Sequence, residues 1–253
     1  MSKVFSLAYG PKDFFTPIPL GAAAGELHAG LSLARAGDMS LSRDDGRVSR
    51  NRFLESIGAP LGGSFALHQV HSKTVLVIDR QQPRALEGFE ADGMVSVRTD
   101  AVLTVTVADC VPVFLVDPEH GAFGLVHSGW KGTGIVQEAL RQMAAAFGTE
   151  AADVSAVLGP GIGPCCYRVQ QERYERFRAD FGSSAVVRGG EPGDYRLDLM
   201  RANSDLLASA GVRDISICSD CTSCSPALGS FRRQGAGFTR MMAFIGHLQG
   251  AAA

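Results

Sequence analysis

Two histidines and one cysteine stand in three separate short motifs whose residue types suit a divalent metal. His71 lies in His68-Gln69-Val70-His71-Ser72, Cys110 in Ala108-Asp109-Cys110-Val111-Pro112, and His127 in Val126-His127-Ser128-Gly129-Trp130-Lys131-Gly132. Two imidazoles and a thiolate fill three corners of a zinc tetrahedron. A structural zinc is normally closed by four protein ligands, whereas a catalytic zinc keeps one position for water or substrate. The set therefore points to a metalloenzyme. His68 competes with His71 for the first position. Three residues apart on a strand, the two face opposite sides, so at most one joins the site, and the residue pattern alone does not choose between them.

Other groups suit supporting roles. Asp92, in Glu90-Ala91-Asp92-Gly93, and Asp109 fit either a general acid or a partner that orients a ligand imidazole. Asp117 reads as a turn residue. Arg232-Arg233, with Arg240 beyond, offers guanidinium forks that match phosphate oxygens; a solvated basic turn is the competing reading. The run Cys218-x2-Cys221-x2-Cys224 is similar to part of a ferredoxin-type motif but lacks its fourth ligand and following proline. Cys165-Cys166 offers a further thiol, although adjacent cysteines in a Gly-Pro loop commonly pack as small apolar residues.

Composition excludes several classes. At 253 residues and 45% hydrophobic content the chain can build a sizeable core. A formal charge of -2 leaves no basic surplus to neutralise a duplex, so nucleic acid is not expected as a partner. No apolar run approaches the roughly 20 residues of a membrane span, and Met1-Ser2-Lys3-Val4 opens no apolar signal core. Six cysteines without a secretory context read as thiols in a reducing cytoplasm.

The positioning elements follow from periodicity. Residues 10–45, rich in Gly, Ala, Pro and Ser, read as a loose N-terminal arm with one or two short strands. A helix is expected over 47–57 and β structure over 65–78 and 102–107. The runs 111–117 and 122–127 flank Pro118-Glu119-His120-Gly121, a four-residue hairpin loop. If Asp117 pairs with Ala122, His127 lies opposite Pro112, diagonal to Cys110 and within reach of a shared ion. One residue of slip would put the two on opposite faces. An amphipathic helix follows, with Ile135, Ala139, Met143 and Phe147 in one row. Next come a strand at 154–158, a helix over 170–181, a strand near 195–197 and a helix capped by Asp198. Strands at 215–218 and 241–245 close the chain, with no internal repeat or low-complexity linker. A single domain spanning 1–253 is expected.

Taken in order, His-Gln-Val-His-Ser, Ala-Asp-Cys-Val-Pro, His-Ser-Gly-Trp-Lys-Gly and Gly-Pro-Gly-Ile-Gly-Pro-Cys-Cys-Tyr resemble the YfiH family. Asp220-Cys221-Thr222, Ser230-Phe231-Arg232-Arg233 and Arg240-Met241 are similar to its closing motif. The likeness runs from about Asn51-Arg52 to Ile245. It implies a mixed α/β sandwich, with a largely antiparallel or mixed sheet and flanking helices, and a zinc held by His71, Cys110 and His127. It also implies phosphorolysis of adenosine, inosine, guanosine and methylthioadenosine, with adenosine deamination as a side activity. Purine nucleosides and phosphate are then the partners; a monomer in the cytoplasm is expected. On the residues themselves, Asp92 is assigned to assist departure of the base, and either Arg232 and Arg233 or the metal itself to hold phosphate. Two departures stand out: Thr16-Pro17-Ile18-Pro19-Leu20-Gly21 replaces the family's Thr-Arg-x-Gly-Gly element, and Gly229-Ser230-Phe231 replaces an aromatic-Ser-Tyr, losing a hydroxyl. Family members are also called polyphenol oxidases, and His2Cys suits copper, but six histidines are few for several copper centres. A non-catalytic metal-binding adaptor is the remaining alternative.

Overall fold

A computed structural model describes residues 2–21, 24–79 and 88–248; Ala22 and Ala23 of the expected arm lie outside these ranges. The first half runs β1 (Lys3–Phe5), β2 (Phe15–Pro17), β3 (His28–Ser32), α1 (Asp44–Ser56), β4 (Ser64–Phe65), β5 (Val75–Ile78), β6 (Gly93–Ser96), β7 (Val102–Val107), β8 (Val111–Asp117) and β9 (Ala122–Ser128). The second half runs α2 (Ile135–Phe147), β10 (Ser155–Leu158), β11 (Arg168–Val169), α3 (Gln171–Phe181), β12 (Val186–Arg188), β13 (Tyr195–Leu197), α4 (Leu199–Ser209), β14 (Asp214–Cys218), α5 (Phe231–Gln234) and β15 (Met241–Gly246).

Two mixed sheets form the centre. One has the order β1-β14-β10-β8-β9-β6-β5, the other β2-β3-β15-β7-β4, and a small sheet β11-β13-β12 stands beside them. The large sheets pack face to face: Phe114, Phe123 and Leu125 of the first share a core with Leu103, Val105 and Ala243 of the second. On the outer face of the seven-stranded sheet, Val113 and Val126 meet Ile135 and Met143 of α2 and Leu207 of α4. On the far side, Phe53 and Leu54 of α1 cover Val102, Met242 and Phe244. The result is a mixed α/β sandwich with helices outside both sheets. Because β8 and β9 are covered on both faces, all of their residues are buried, which explains apolar runs rather than alternation.

Three expectations change. The segment read as a loose arm holds the two short strands expected of it, but they are tied into the five-stranded sheet: β3 pairs antiparallel with β15 and β2 with β3. Backbone pairing needs no hydrophobic period, so the small-residue composition concealed it. Helix α1 begins at Asp44, earlier than expected, with Asp44 and Asp45 complementing the positive end of its dipole. The β structure over 65–78 breaks after Phe65 and resumes at Val75. The intervening loop carries His71.

Candidate metal centre

The hairpin register is the one derived from loop length: Asp117 pairs with Ala122 and Pro112 with His127. Asp117 closes the turn as a turn residue should, accepting from the Glu119 and His120 amides and from His120 Nδ1 at 2.8 Å. Cys110 sits just before β8, beside His127 at the end of β9. His71 arrives from the loop before β5. One ligand atom from each of His71, Cys110 and His127 lies within 4.8 Å of the others. His68 is outside this group and lines a neighbouring cleft with Ser40, Ser42 and Arg240.

Asp92 explains how two of the ligands are held. Its buried carboxylate accepts backbone N–H groups from Val70 (3.2 Å), His71 (3.0 Å) and Ser72 (2.6 Å), and the Ser72 hydroxyl at 2.8 Å. His71 has φ 60, a left-handed conformation uncommon outside glycine. Successive amides therefore converge on one anion, as in a backbone nest. The same carboxylate takes His127 Nδ1 at 2.8 Å, which leaves Nε2 for an ion. Asp92 thus orients both imidazoles, one through its backbone and one through its ring. It is a poor proton donor for a leaving base: burial alone would raise its pKa, but the bonds from His127 and Ser72 outweigh this and hold it at about 2.

The electrostatics of the metal-free site favour a cation. Burial opposes ionisation of the Cys110 thiol, yet His127 and His71 outweigh it and pull its pKa below the usual thiol range. Burial likewise opposes charge on His127, but the Cys110 thiolate and Asp92 push its pKa well up. A thiolate facing imidazolium exchanges a proton for a metal readily. Space is reserved for the sulfur: a Cβ at Gly129 would lie 2.6 Å from Cys110 Sγ and 3.3 Å from His71 Cδ2. One soft thiolate and two imidazoles, open on one side, fit a single zinc ion.

The open side is the floor of a pocket of about 520 Å³. Aromatic walls come from Trp130, Tyr167, Phe231 and Phe238, and cationic rims from Arg173, Arg232 and Arg240. Burial and the Cys110 charge push the Tyr167 phenol up to about 12, so it keeps its proton. Phe231 stands edge-on to Phe238 at 5.1 Å and presents carbon to the pocket. Asp109, with φ 93, accepts the Thr222 hydroxyl at 2.6 Å and the Arg232 amide at 2.7 Å. It ties the Cys110 turn to the loop at 221–224.

The arginine pair divides. Arg233 donates from its guanidinium to the carbonyls of Thr222, Ser223, Ser225 and Leu228, and is absent from the pocket wall. Arg232 lines the pocket but donates Nη1 to Cys166 O at 2.9 Å and Nη2 to Arg168 O at 3.0 Å. Arg240 and Arg173, each over an aromatic ring at 4.3 Å (Phe238) and 4.4 Å (Trp130), are the less committed cations. Arg240 follows the paired arginines in sequence, whereas Arg173 stands in α3 with no motif to mark it. The cysteines also regroup. Cys218 is buried in β14 with its Sγ 3.5 Å from Asp220, while Cys165, Cys166, Cys221 and Cys224 gather. Strand geometry turns Cys218 away from the loop that its spacing suggested it shared.

A test of Asp92 follows from its charge. In metal-free protein, Asp92→Asn is expected to lose about 2 kcal/mol of unfolding free energy at neutral pH, because the bonds from His127 and Ser72 hold the folded pKa at about 2. A carboxylate with a lowered folded pKa stabilises above the unfolded value of 3.8 and loses that contribution as pH falls through about 2. Denaturant titrations should therefore show the wild-type advantage shrinking between pH 4 and 2. An advantage independent of pH over that window would mean that Asp92 acts by packing alone.

Residues 28–248 match a family described as multi-copper polyphenol oxidoreductase laccase. The chain is 36% identical over 237 residues to a purine nucleoside phosphorylase of Deinococcus radiodurans, covering 92% of this chain and 87% of that protein. It is 33% identical over 217 residues to purine nucleoside phosphorylase YlmD of Geobacillus stearothermophilus, covering 81% and 79%. The crystal structure of that YlmD superposes with a TM-score of 0.84 at 29% identity, over 95% of this chain and 98% of the other. The hypothetical protein YfiH of Bacillus licheniformis superposes with a TM-score of 0.84 at 27% identity, over 94% and 98%. A family match over residues 28–248, with relatives at 33% and 36% identity and the same fold, places this protein in the YfiH family.

Proposed function

We propose that the chain is a zinc-dependent purine nucleoside phosphorylase acting on adenosine, inosine, guanosine and methylthioadenosine, with adenosine deamination as a side activity. The observation that carries this reading is the convergence of His71, Cys110 and His127 on the floor of a pocket with aromatic walls and an arginine rim. The names of the relatives supply the reaction class. The described residues gather one histidine-containing ligand group, which suits a single ion rather than the several centres of a multicopper oxidase. Zinc bound there would supply Lewis acidity and lower the pKa of a water, the chemistry deamination at purine C6 needs.

The chain's own residues account for the rest. The aromatic walls offer faces and edges for a purine. Arg240 lines both this pocket and the adjoining cleft with Ser40, Ser42 and His68; there it holds phosphate for attack on ribose C1′. As the C1′–N9 bond breaks, its electron pair passes to the purine, which must gain a proton or a hydrogen bond. Tyr167, kept neutral, is the hydrogen-bond donor on the wall, and the proton that the base finally carries is the one the phosphate gives up. Asp92 holds the imidazoles in place and remains an anion throughout.

Adenosine plus phosphate should yield adenine and ribose 1-phosphate, with inosine appearing more slowly. Omitting phosphate should abolish adenine release and leave inosine formation. Adenine release that ignores phosphate would make the protein a nucleoside hydrolase and overturn the reading.

A further inference from the structure

We propose that Cys165, Cys166, Cys221 and Cys224 form a second metal site, a tetrathiolate that takes one zinc ion and staples together two loops of the pocket wall. The four sulfurs all lie within 4.8 Å of one another, with Cys166 and Cys165 at 3.4 and 3.7 Å from Cys224. Four thiolates around one zinc at about 2.3 Å sit roughly 3.8 Å apart, so a single ion fits the space. A multi-iron cluster spreads its thiolates over several irons, which this spacing does not allow.

The backbone is shaped for the ion. Cys221 and Cys224 bracket a tight turn in which the amides of Cys224 and Ser225 both donate to Cys221 O at 3.1 Å, the C-x2-C arrangement of zinc sites. The opposing loop turns at Gly163, whose carbonyl accepts from the Cys166 and Tyr167 amides at 3.0 Å. The Gly163 amide itself donates to Cys221 Sγ at 3.2 Å. A bridge between Gly161 and Cys221 fixes the two loops in register.

The charge around the cluster is complementary. Four thiols this close cannot all ionise without a cation among them, and a zinc tetrathiolate retains two negative charges. Arginine guanidiniums ring it through backbone carbonyls: Arg196 reaches Pro164 O and Cys165 O at 3.4 Å, and Arg232 reaches Cys166 O at 2.9 Å. Arg233 grips Thr222 O and Ser223 O inside the C-x2-C turn. This gives the Arg232-Arg233 pair a role in the thiolate loops. Cys165 and Cys224 are exposed, so metal can enter the folded protein.

The staple reaches the first site indirectly. Thr222, inside the C-x2-C turn, holds Asp109 beside Cys110, and Tyr167 follows Cys166 onto the pocket wall. The proposal does not depend on the phosphorylase reading.

Full-length protein purified under reducing conditions with zinc should carry two zinc ions per chain by elemental analysis. Cys110→Ala and Cys221→Ser/Cys224→Ser should each carry one. With cobalt in place of zinc, Cys110→Ala should keep the intense sulfur-to-cobalt charge transfer of a tetrathiolate. The Cys221→Ser/Cys224→Ser protein should lose it. If the cysteine double variant does not fold, the cobalt spectrum of Cys110→Ala decides alone, because its remaining tetrahedral site is all sulfur. One zinc per chain in the wild type that Cys110→Ala loses, no tetrathiolate spectrum in Cys110→Ala, or a Cys166–Cys224 disulfide by mass in the reduced preparation would each overturn the proposal.

Discussion

Cys110→Ala is expected to lose the metal held with His71 and His127 and to lower phosphate-dependent base release by more than about 100-fold. That is the upper end for losing a partner that only supports a ligand, and Cys110 is itself a ligand in this assignment. The thiolate is the only anionic donor of the three, and its charge also raises the pKa of the neighbouring His127 in the metal-free site. Without it, two imidazoles remain, one of them on an exposed loop. The substitution removes one sulfur beside Gly129 and should leave the fold intact, so circular dichroism and thermal midpoint should stay near wild type. His68→Ala is the matched control. Its backbone is tied to Phe89 and Ala91 and its side chain lines the neighbouring cleft, so metal content should not change. Retention of the histidine-bound metal in Cys110→Ala, or its loss in His68→Ala, would show that the wrong donors were chosen.

How much of this was legible in the sequence depends on how local each feature is. The β8–β9 register was legible because a four-residue loop fixes pairing, and pairing fixes which side chains share a face. Helices α2, α3 and α4 were legible from apolar rows and, for α4, from the Asp198 cap, which accepts the Arg201 amide. The left-handed turn at His71 was not, because nothing in His-Gln-Val-His-Ser calls for φ 60. The cause is Asp92, about twenty residues on, drawing three amides to one carboxylate. Asp92 was noticed as a carboxylate near a glycine, but its alternatives of acid or orienter separate only when burial and donors are known. Composition allowed the short strands of the N-terminal arm but not the pairing into the five-stranded sheet that orders them. Charge misled at Arg233, since a guanidinium satisfies backbone carbonyls as readily as phosphate. The cysteines show the same limit: Cys218 shares spacing with Cys221 and Cys224, but Cys165 and Cys166 share their space.

The arginines should separate cleanly in kinetics. Arg240→Ala is expected to raise the phosphate KM by about ten- to a hundredfold with little change in stability. A charge-assisted contact to an anion is worth roughly 1.5–3 kcal/mol. In the absence of phosphate, the Arg240 guanidinium has a 3.5 Å contact with Asp38 and the face of Phe238 as its recorded partners, so donors remain for an anion. Metal content and deamination should be unchanged, because Arg240 touches none of the three ligands. Arg233→Ala should behave in the opposite way. It strips the partner from four carbonyls of the 222–228 loop, at a cost of about 1–3 kcal/mol. For a chain of this size that is a fall of several degrees in Tm, at roughly 2–4 °C per kcal/mol. Any rise in phosphate KM should be small beside it. If Arg233→Ala instead weakened phosphate more than tenfold at unchanged Tm while Arg240→Ala left it untouched, the anion would sit at Arg233 and not at Arg240. The carbonyl clamp would then have been mistaken for the cause of the arginine pair.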